Sequence, residues 1–570
     1  MKDLIFFLKF QKKTKIIFII FLLSFGTFLD LFGLSLIIPT IKVISDYENL
    51  SLIIKQTNIL NPLIKFSQNQ LIIFFLTVFL LINVFKGLIF VYLNWKTNQF
   101  AKEVNQQISE KLINFYSYIS YEEIVNKSSS SLIRNITEEV EGVSSAVLNF
   151  LNMIVDLFVM LCIFCFILYI EPGGVLLISF ILILGLFVFR RLLVKRLIKW
   201  GYERQKYYLK KIKNINEIFH SYSELKILKK INFFGKNYLK YNNEYFNNVI
   251  KYGVTQIIPR FLVESLAVVG VTFSLIYLLI FNDNQEQILY ALAVLGASSL
   301  RILPSINRVI NLYNSFKFSS ASLELVRNEI EGLKQFINIK NEEIDNLKFE
   351  SDIKIKNISY NYPGKLDSTL KNIDFVILKN QIIGIKGETG SGKSTLLKIL
   401  IGLIKPKNGS LCVDNIDIYK NQMIESWFRK IAYVPQDIYL IDETIKENIL
   451  FGCDHKNFDK KLYELSMEVS ECNKFVKNLE NKDKTFVGEN GLKLSGGQKQ
   501  RIGIARAIYL NREILILDEA TNSLDETTEK KIINNILKLK NKPTIIFVSH
   551  KSSNFQICDK IFDLSKQEKN

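Results

Sequence analysis

Every apolar run long enough to cross a bilayer lies before residue 315 of this 570-residue chain. Inside hydrocarbon each backbone N–H and C=O must find a partner within the protein, so such runs are confined to helices packed as a bundle. About 20 apolar residues make one crossing. By that measure six spans are expected, at about 16–44, 71–95, 145–170, 174–190, 261–281 and 287–312. Beyond them the pattern changes to short apolar strands, Gly-rich turns and charged helices, the mark of a soluble α/β domain. The expected division is a transmembrane domain over 1–325, a linker over 326–350 and a soluble α/β domain over 351–570.

The first run follows Lys9, Lys12, Lys13 and Lys15 and is too long for the core of a cleaved signal peptide, so it reads as a spanning helix that starts in the cytoplasm. Glu171-Pro172-Gly173-Gly174 and residues 282–286 are short turns that close two outer hairpins. The segments 96–144 and 191–260 are long, polar and helix-patterned, and the second is rich in Lys and Arg. Both are expected in the cytoplasm, and an even number of spans returns the chain there. Residues 51–66 form either an interfacial helix or a plain loop, since Pro62 interrupts them. The formal charge of +18, from 73 Lys plus Arg against 55 Asp plus Glu, points to a membrane surface rather than to nucleic acid. Six cysteines and three histidines are too scattered for a disulfide framework or a metal cluster.

The strand-like Ile382–Lys386 leads into Gly387-Glu388-Thr389-Gly390-Ser391-Gly392-Lys393-Ser394, and a helical pattern follows from Thr395. Small residues let backbone N–H groups close around phosphates, Lys393 reaches the β- and γ-phosphates of ATP, and Ser394 can ligate Mg²⁺. A second strand, Ile514–Asp518, ends in an acid suited to Mg²⁺, and Glu519 directly after it is the candidate base that orients the attacking water.

Between them lies Leu494-Ser495-Gly496-Gly497-Gln498-Lys499-Gln500-Arg501, which resembles the signature motif of ABC ATPases. The expected fold is therefore an α-helical six-span transmembrane domain followed by an α/β P-loop nucleotide-binding domain. The resemblance extends to Gln436 after Val434-Pro435, Asp525 after Ser523-Leu524, and His550 after the strand Thr544–Val548. It implies that Gln436 senses Mg²⁺ and water, that His550 holds the γ-phosphate and that Tyr362 stacks on adenine. It also implies that Ser495, Gly496, Gly497 and Gln498 of one subunit close over ATP held by another. With Glu519 and His550 both present, two working sites in a homodimer are expected. The segment Thr485–Gly491 resembles the exporter-type stretch that meets the membrane domain, which implies outward transport.

The spans carry charges that mark a cargo path. Lys86 lies inside the second apolar run, and Arg260, Arg301 and Arg308 sit at or within the fifth and sixth. A charge at mid-bilayer costs about 2.5–3.5 kcal/mol on insertion scales, so several together suit a wet or anion-occupied cavity. The alternatives are that Arg260 and Arg308 reach back to the interface, that Glu264 neutralises Arg260, and that Asp30 or Asp156 partners another. The segments Ile258–Phe261 and Leu300–Arg308 resemble those of the bacterial lipid-linked oligosaccharide flippases of the PglK type, with Lys86 standing where that pattern suggests Arg. The resemblance implies ATP-driven flipping of a polyprenyl-pyrophosphate-linked glycan across the bacterial inner membrane, with the ATPase half in the cytoplasm. Export of another lipid, a peptide or a drug is the nearest alternative, and an ATP-gated channel or regulator a more distant one.

Overall fold

A computed structural model of the chain describes residues 2–35, 68–170, 172–281, 303–334, 347–362, 368–388, 390–419, 423–549, 551 and 555–565. Segment 51–66, the turn 282–286 and much of the expected sixth span lie outside the described residues. Among the described residues three helical stretches are long and apolar enough to cross a membrane: Ile72–Tyr118, Ser129–Cys162 and Ile231–Phe273. The chain divides into two compact units, one of Met1–Ile119 with Ile124–Ile337, the other of Ser120–Glu123 with Asn338–Asn570.

The first unit is helical. Its main elements are Lys13–Ser35, Gln68–Tyr118, Val140–Ile170, Pro172–His220 and Ile231–Phe281. Pro172 opens its helix at the first-turn position, where a fixed φ and a missing N–H cost nothing. Gln68–Tyr118 and Ile231–Phe281 each run for 51 residues, roughly 75 Å at the helical rise and more than twice a hydrocarbon core. Much of each polar segment expected in the cytoplasm therefore continues a long apolar helix, with the short helices Tyr121–Asn126, Ser129–Arg134 and Tyr222–Ile227 at the turns. Along Gln68–Tyr118 the change of environment is visible in burial. Leu80, Leu81, Val84, Leu88 and Val91 are more than half exposed, as suits lipid. Further along, Phe100, Val104, Ile108 and Leu112, one turn apart, are buried against Val140, Val143, Val147 and Leu151 and against Leu323, Val326 and Ile330. Residues 326–334, within the expected linker, thus belong to the packed helix Ser320–Lys334.

That polar extension holds a buried charge cluster. A short π-helical turn, Asn135–Glu139, places Glu139 at 0% exposure. Its carboxylate lies 3.7 Å from Arg134 and 3.5 Å from Arg204, and accepts a 2.6 Å hydrogen bond from Ser322. Arg204 also reaches Glu138 at 3.3 Å, which Tyr245 hydroxyl contacts at 3.3 Å. Four helices, Ser129–Arg134, Pro172–His220, Ile231–Phe281 and Ser320–Lys334, and the π-turn meet on these groups. Removing one partner of a buried ion pair leaves uncompensated charge.

In the second unit, β1 (Asp352–Tyr360), β2 (Leu370–Leu378), β4 (Asn408–Val413) and β5 (Ile416–Asp417) form an antiparallel sheet in the order β2-β1-β4-β5. A second sheet, in the order β6-β7-β8-β3-β9, joins β6 (Ile431–Val434), β7 (Ile514–Asp518), β8 (Thr544–Val548), β3 (Ile382–Lys386) and β9 (Lys560–Asp563), all pairs parallel. Ile514–Leu517 and all of β8 are buried, as continuous apolar strands covered on both faces must be. One core lies between the sheets and includes Trp427, whose indole N–H donates to Leu400 O at 2.9 Å. A second packs the parallel sheet against Gly496–Tyr509 and Glu526–Leu537, and a third gathers Leu440, Ile449, Val487 and Ile502. Ser120–Glu123 belongs to this unit: Tyr121 packs on the first core, and Glu122 accepts a hydrogen bond from the Tyr360 hydroxyl.

Glu139→Ala is expected to destabilise the helical unit by about 3–5 kcal/mol, because Arg134 and Arg204 lose their shared carboxylate. A clear fall in the thermal unfolding midpoint of the purified full-length protein is the measurement.

Candidate nucleotide site

The parallel register sets the geometry of the site. Asp518 pairs with Val548, Val548 with Ile385, and Leu517 with Val434, so the carboxyl ends of β6, β7, β8 and β3 finish almost level. Ligands of open α/β sheets bind beyond such ends. The residues that follow directly are Pro435-Gln436, Glu519, Ser549-His550 and the Gly387 loop.

The loop after β3 fits a polyphosphate. Lys393, only 8% exposed at the start of the helix Lys393–Ile401, turns back so that Nζ donates to the carbonyls of Gly387 and Glu388, both at 2.8 Å. Ser391 Oγ is buried with no hydrogen-bond partner, a polar atom placed to meet a ligand. Gly390 and Gly392 have φ of 91° and 89°, a region that side chains avoid. A Cβ at Gly392 would also stand 2.9 Å from the Thr369 carbonyl. The loop thus presents backbone and one ammonium where phosphate oxygens need donors, at a helix N-terminus whose dipole favours negative charge. Ser394 is exposed beside it. Thr395 is buried, and its hydroxyl lies 3.2 Å from the Tyr362 hydroxyl, which ties the expected adenine-stacking residue to the P-loop helix. Tyr360 meets Tyr362 edge to face, with ring centroids 5.2 Å apart.

At the end of β7, Asp518 Oδ2 accepts from the Tyr433 hydroxyl at 3.1 Å. Burial pushes the Asp518 carboxyl above its ordinary range, while the Tyr433 bond pulls it back. Nearby cations from Lys398 and Lys393 act in the same sense as Tyr433. A carboxyl so placed gains from a divalent cation that would repay its lost hydration. Glu519 has a positive φ of 49°, and its backbone N–H is held by Val548 O at 3.0 Å. Its Oε2 accepts from Gln436 Nε2 at 3.1 Å and from Asn522 Nδ2 at 2.8 Å. The two candidates for handling the attacking water are therefore in direct contact.

The signature segment builds a helix start. Ser495 caps Gly496–Tyr509 by accepting from Gln498 N–H at 3.3 Å, and Gln498 Oε1 accepts from Ser495 N–H at 2.8 Å, a complete capping box. Gly497 lies so close to the following loop that a Cβ would meet Ser523 O at 2.9 Å. Gln500, 5% exposed, locks that approach by accepting from Ser523 N–H at 2.8 Å. Asp525 caps Glu526–Leu537, and hydrogen bonds from Thr527 and Thr528 hold its carboxyl well below the usual range.

Thr389, His550 and Arg301 lie outside the described residues, as does the Lys86 side chain. Ser549, just before His550, is 4% exposed, and Lys551 just after it is anchored to Glu529 at 2.7 Å. Sequence reasoning missed Tyr433, Asn522 and Gln500, which hold Asp518, Glu519 and the Ser523 loop. Gln500 stands within the signature string already in view and Asn522 just outside the Ser523-Leu524-Asp525 string, whereas nothing local marks Tyr433. In the helical unit Arg260 pairs with Glu264 at 2.9 Å, as i,i+4 spacing allows, and Arg308 pairs with the buried Asp156 at 3.3 Å. Both arginine side chains stay more than half exposed.

Comparison with known proteins places these features in a family. Residues 16–303 match the ABC transporter transmembrane region, and residues 370–522 match the ABC transporter ATPase family. A Rickettsia typhi protein named as an export ATP-binding/permease protein is 26% identical over 98% of this chain and 93% of its own. The ATP-dependent lipid A-core flippase 2 of Colwellia psychrerythraea is 37% identical over 38% of this chain and 37% of its own. A multidrug resistance ABC transporter ATP-binding/permease protein of Bacillus subtilis is 37% identical over 44% and 42%. In fold, the chain is similar to a bacterial Atm1-family ABC exporter solved with ATP bound, with a TM-score of 0.78 and 18% identity over 97% of this chain and 92% of that one. With half of its length matched by the transmembrane-region family and an ATPase domain behind it, this chain belongs to the ABC transporters, as an exporter-type ATPase coupled to membrane transport.

Proposed function

We propose that two copies of this chain form a homodimer in the bacterial inner membrane that flips a polyprenyl-pyrophosphate-linked oligosaccharide from the cytoplasmic to the outer leaflet. In this reading Gly387, Glu388, Thr389, Gly390, Ser391, Gly392 and Lys393 wrap the phosphates, and Tyr362 stacks on adenine. Ser394, Gln436 and Asp518 hold Mg²⁺, which when bound draws negative charge from the phosphate oxygens. Glu519 takes the proton of the attacking water as its oxygen bonds to the γ-phosphorus and the bond to the ADP oxygen breaks. Gln436 positions that water, and His550 contacts the γ-phosphate. Ser495, Gly496, Gly497 and Gln498 of the second copy cover the nucleotide. The observation that carries the ATPase half of this reading is the 3.1 Å bond from Gln436 to Glu519, formed beyond the aligned strand ends.

The cargo half rests on the basic residues Lys86, Arg260, Arg301 and Arg308, which would draw in the pyrophosphate, and it agrees with a relative named for lipid A-core flipping. A second reading, export of another lipid, a peptide or a drug, is favoured by the carboxylates that already neutralise Arg260 and Arg308, and by a relative named for multidrug resistance. In the first reading the pyrophosphate displaces Asp156 and Glu264 from their arginines; in the second these pairs are permanent braces between helices.

Three outcomes are expected. Glu519→Gln should lower ATP turnover by about 10²–10⁴-fold with nucleotide still bound, and steady-state hydrolysis equal to wild type would refute the base assignment. Lys393→Ala should weaken ATP binding by about 10- to 100-fold in a filter-binding titration, the loss of one or two charge-assisted hydrogen bonds. In reconstituted vesicles, Arg301→Ala with Arg308→Ala should slow flipping of a pyrophosphate-linked lipid several-fold while a neutral lipid analogue is unaffected; equal rates would favour the second reading.

A further inference from the structure

The chain enters its first apolar helix beside a cavity of about 490 Å³ that neither the nucleotide site nor the proposed cargo path uses. Gln11, Lys12 and Lys15 line one side, and Gln107, Glu110 and Lys111 of Gln68–Tyr118 line the other. The walls are fixed. Leu4 and Phe7 of the helix Lys2–Leu8 are 0% and 1% exposed in the helical core, and Lys15 is tied to Glu103 at 2.7 Å. Lys111 Nζ sits 3.3 Å from the Phe10 ring centroid, and Lys12 is exposed at the rim. Gln11 is only 6% exposed. Its Nε2 donates to Gln107 Oε1 at 2.7 Å, while its Oε1 is buried with no hydrogen-bond partner. An acceptor left so costs stability until a donor meets it.

Position adds to composition. Directly beyond Lys15 the same helix exposes Ile17 by 64%, Phe18 by 52% and Phe21 by 64%, side chains that belong against acyl chains. A cavity with clustered lysines just below a lipid-facing strip, on the cytoplasmic side, is a place for a phospholipid headgroup. Glu110 and the orphan Gln11 acceptor refine the match. Both repel the oxygens of a bare phosphate ion, and both welcome a hydroxyl or ammonium donor held near a phosphodiester.

We propose that this cavity binds an inner-leaflet phospholipid whose phosphodiester carries a hydrogen-bond donor, the chemistry of phosphatidylglycerol and phosphatidylethanolamine. The phosphate lies against Lys12 and Lys111, and the headgroup donor reaches Gln11 Oε1 and Glu110. The bound lipid is a resident of the bilayer and not cargo, so the inference stands apart from the identity of the transported molecule. It would staple the amino-terminal helix to the Gln68–Tyr118 helix at the membrane surface.

The test is lipid retention by the full-length protein, read by native mass spectrometry after exchange into detergent with phosphatidylglycerol, phosphatidylethanolamine, phosphatidylcholine or inorganic phosphate. Wild type is expected to hold the first two lipids about tenfold or more over phosphatidylcholine, which lacks the donor, and inorganic phosphate should not displace them. Lys12→Ala with Lys111→Ala should weaken phosphatidylglycerol about thirtyfold, Lys12→Arg with Lys111→Arg should retain it, and Gln11→Leu should erase the preference over phosphatidylcholine. Equal retention of all three lipids by wild type overturns the proposal, as does displacement by inorganic phosphate or an alanine pair that binds like wild type. The wild-type preference alone decides the matter should the alanine pair fail to fold.

Discussion

Parallel register in the five-stranded sheet is the constraint on which the ATPase half depends. Hydrogen bonds from β7 to β8 and from β8 to β3 bring Asp518, Val548 and Ile385 to one level, and β6 joins through Val434 and Leu517. Four chain segments far apart in sequence therefore leave the sheet side by side. Because these strands are buried on both faces, polarity alone does not fix the alignment; slippage of one residue would exchange the side chains fitted to one core, such as Ile514 and Ile516, with those fitted to the other, such as Leu515 and Leu517. The polar machinery can then be small, because its positions are set by the strands beneath it.

Around that edge, side chains brace one another. Tyr433 holds Asp518, Asn522 shares Glu519 with Gln436, and Gln500 fastens the Ser523 loop to the start of the signature helix. Ser495 and Gln498 cap that helix reciprocally, so its first backbone donors are oriented before any partner arrives. Preorganisation of this kind keeps the cost of ordering low on binding.

The helical unit solves a different problem with the same economy. Gln68–Tyr118 carries its hydrogen-bond ladder from lipid into water while only the facing residues change; in Ile231–Phe281 Pro259 has no N–H to give Thr255 O, and Asn314 Nδ2 donates to that carbonyl at 3.3 Å instead. Apolar side chains point outward where lipid surrounds the helix, then turn inward where Phe100, Val104, Ile108 and Leu112 build a core. The Glu139 cluster sits in that core as a charged tie between helices, and loss of one member leaves the others with uncompensated charge.

Much of this was legible in the amino-acid order. Helix confinement before residue 315 follows from the absence of water in hydrocarbon, and the P-loop and signature strings carry their chemistry in consecutive residues, so Lys393, Asp518, Glu519 and Ser495 could be named without coordinates. Pairings across long separations could not. Arg308 with Asp156, Asp518 with Tyr433 and Glu139 with Arg204 and Ser322 join residues whose spacing along the chain says nothing of their distance in space. Within the expected linker, residues 326–334 are charged on one face and bury Val326 and Ile330 on the other, and only packing reveals which face is covered. Local sequence determines what a segment can form and which chemistry it can offer; the tertiary fold decides which of those groups meet, because contact depends on where whole helices and strands are placed.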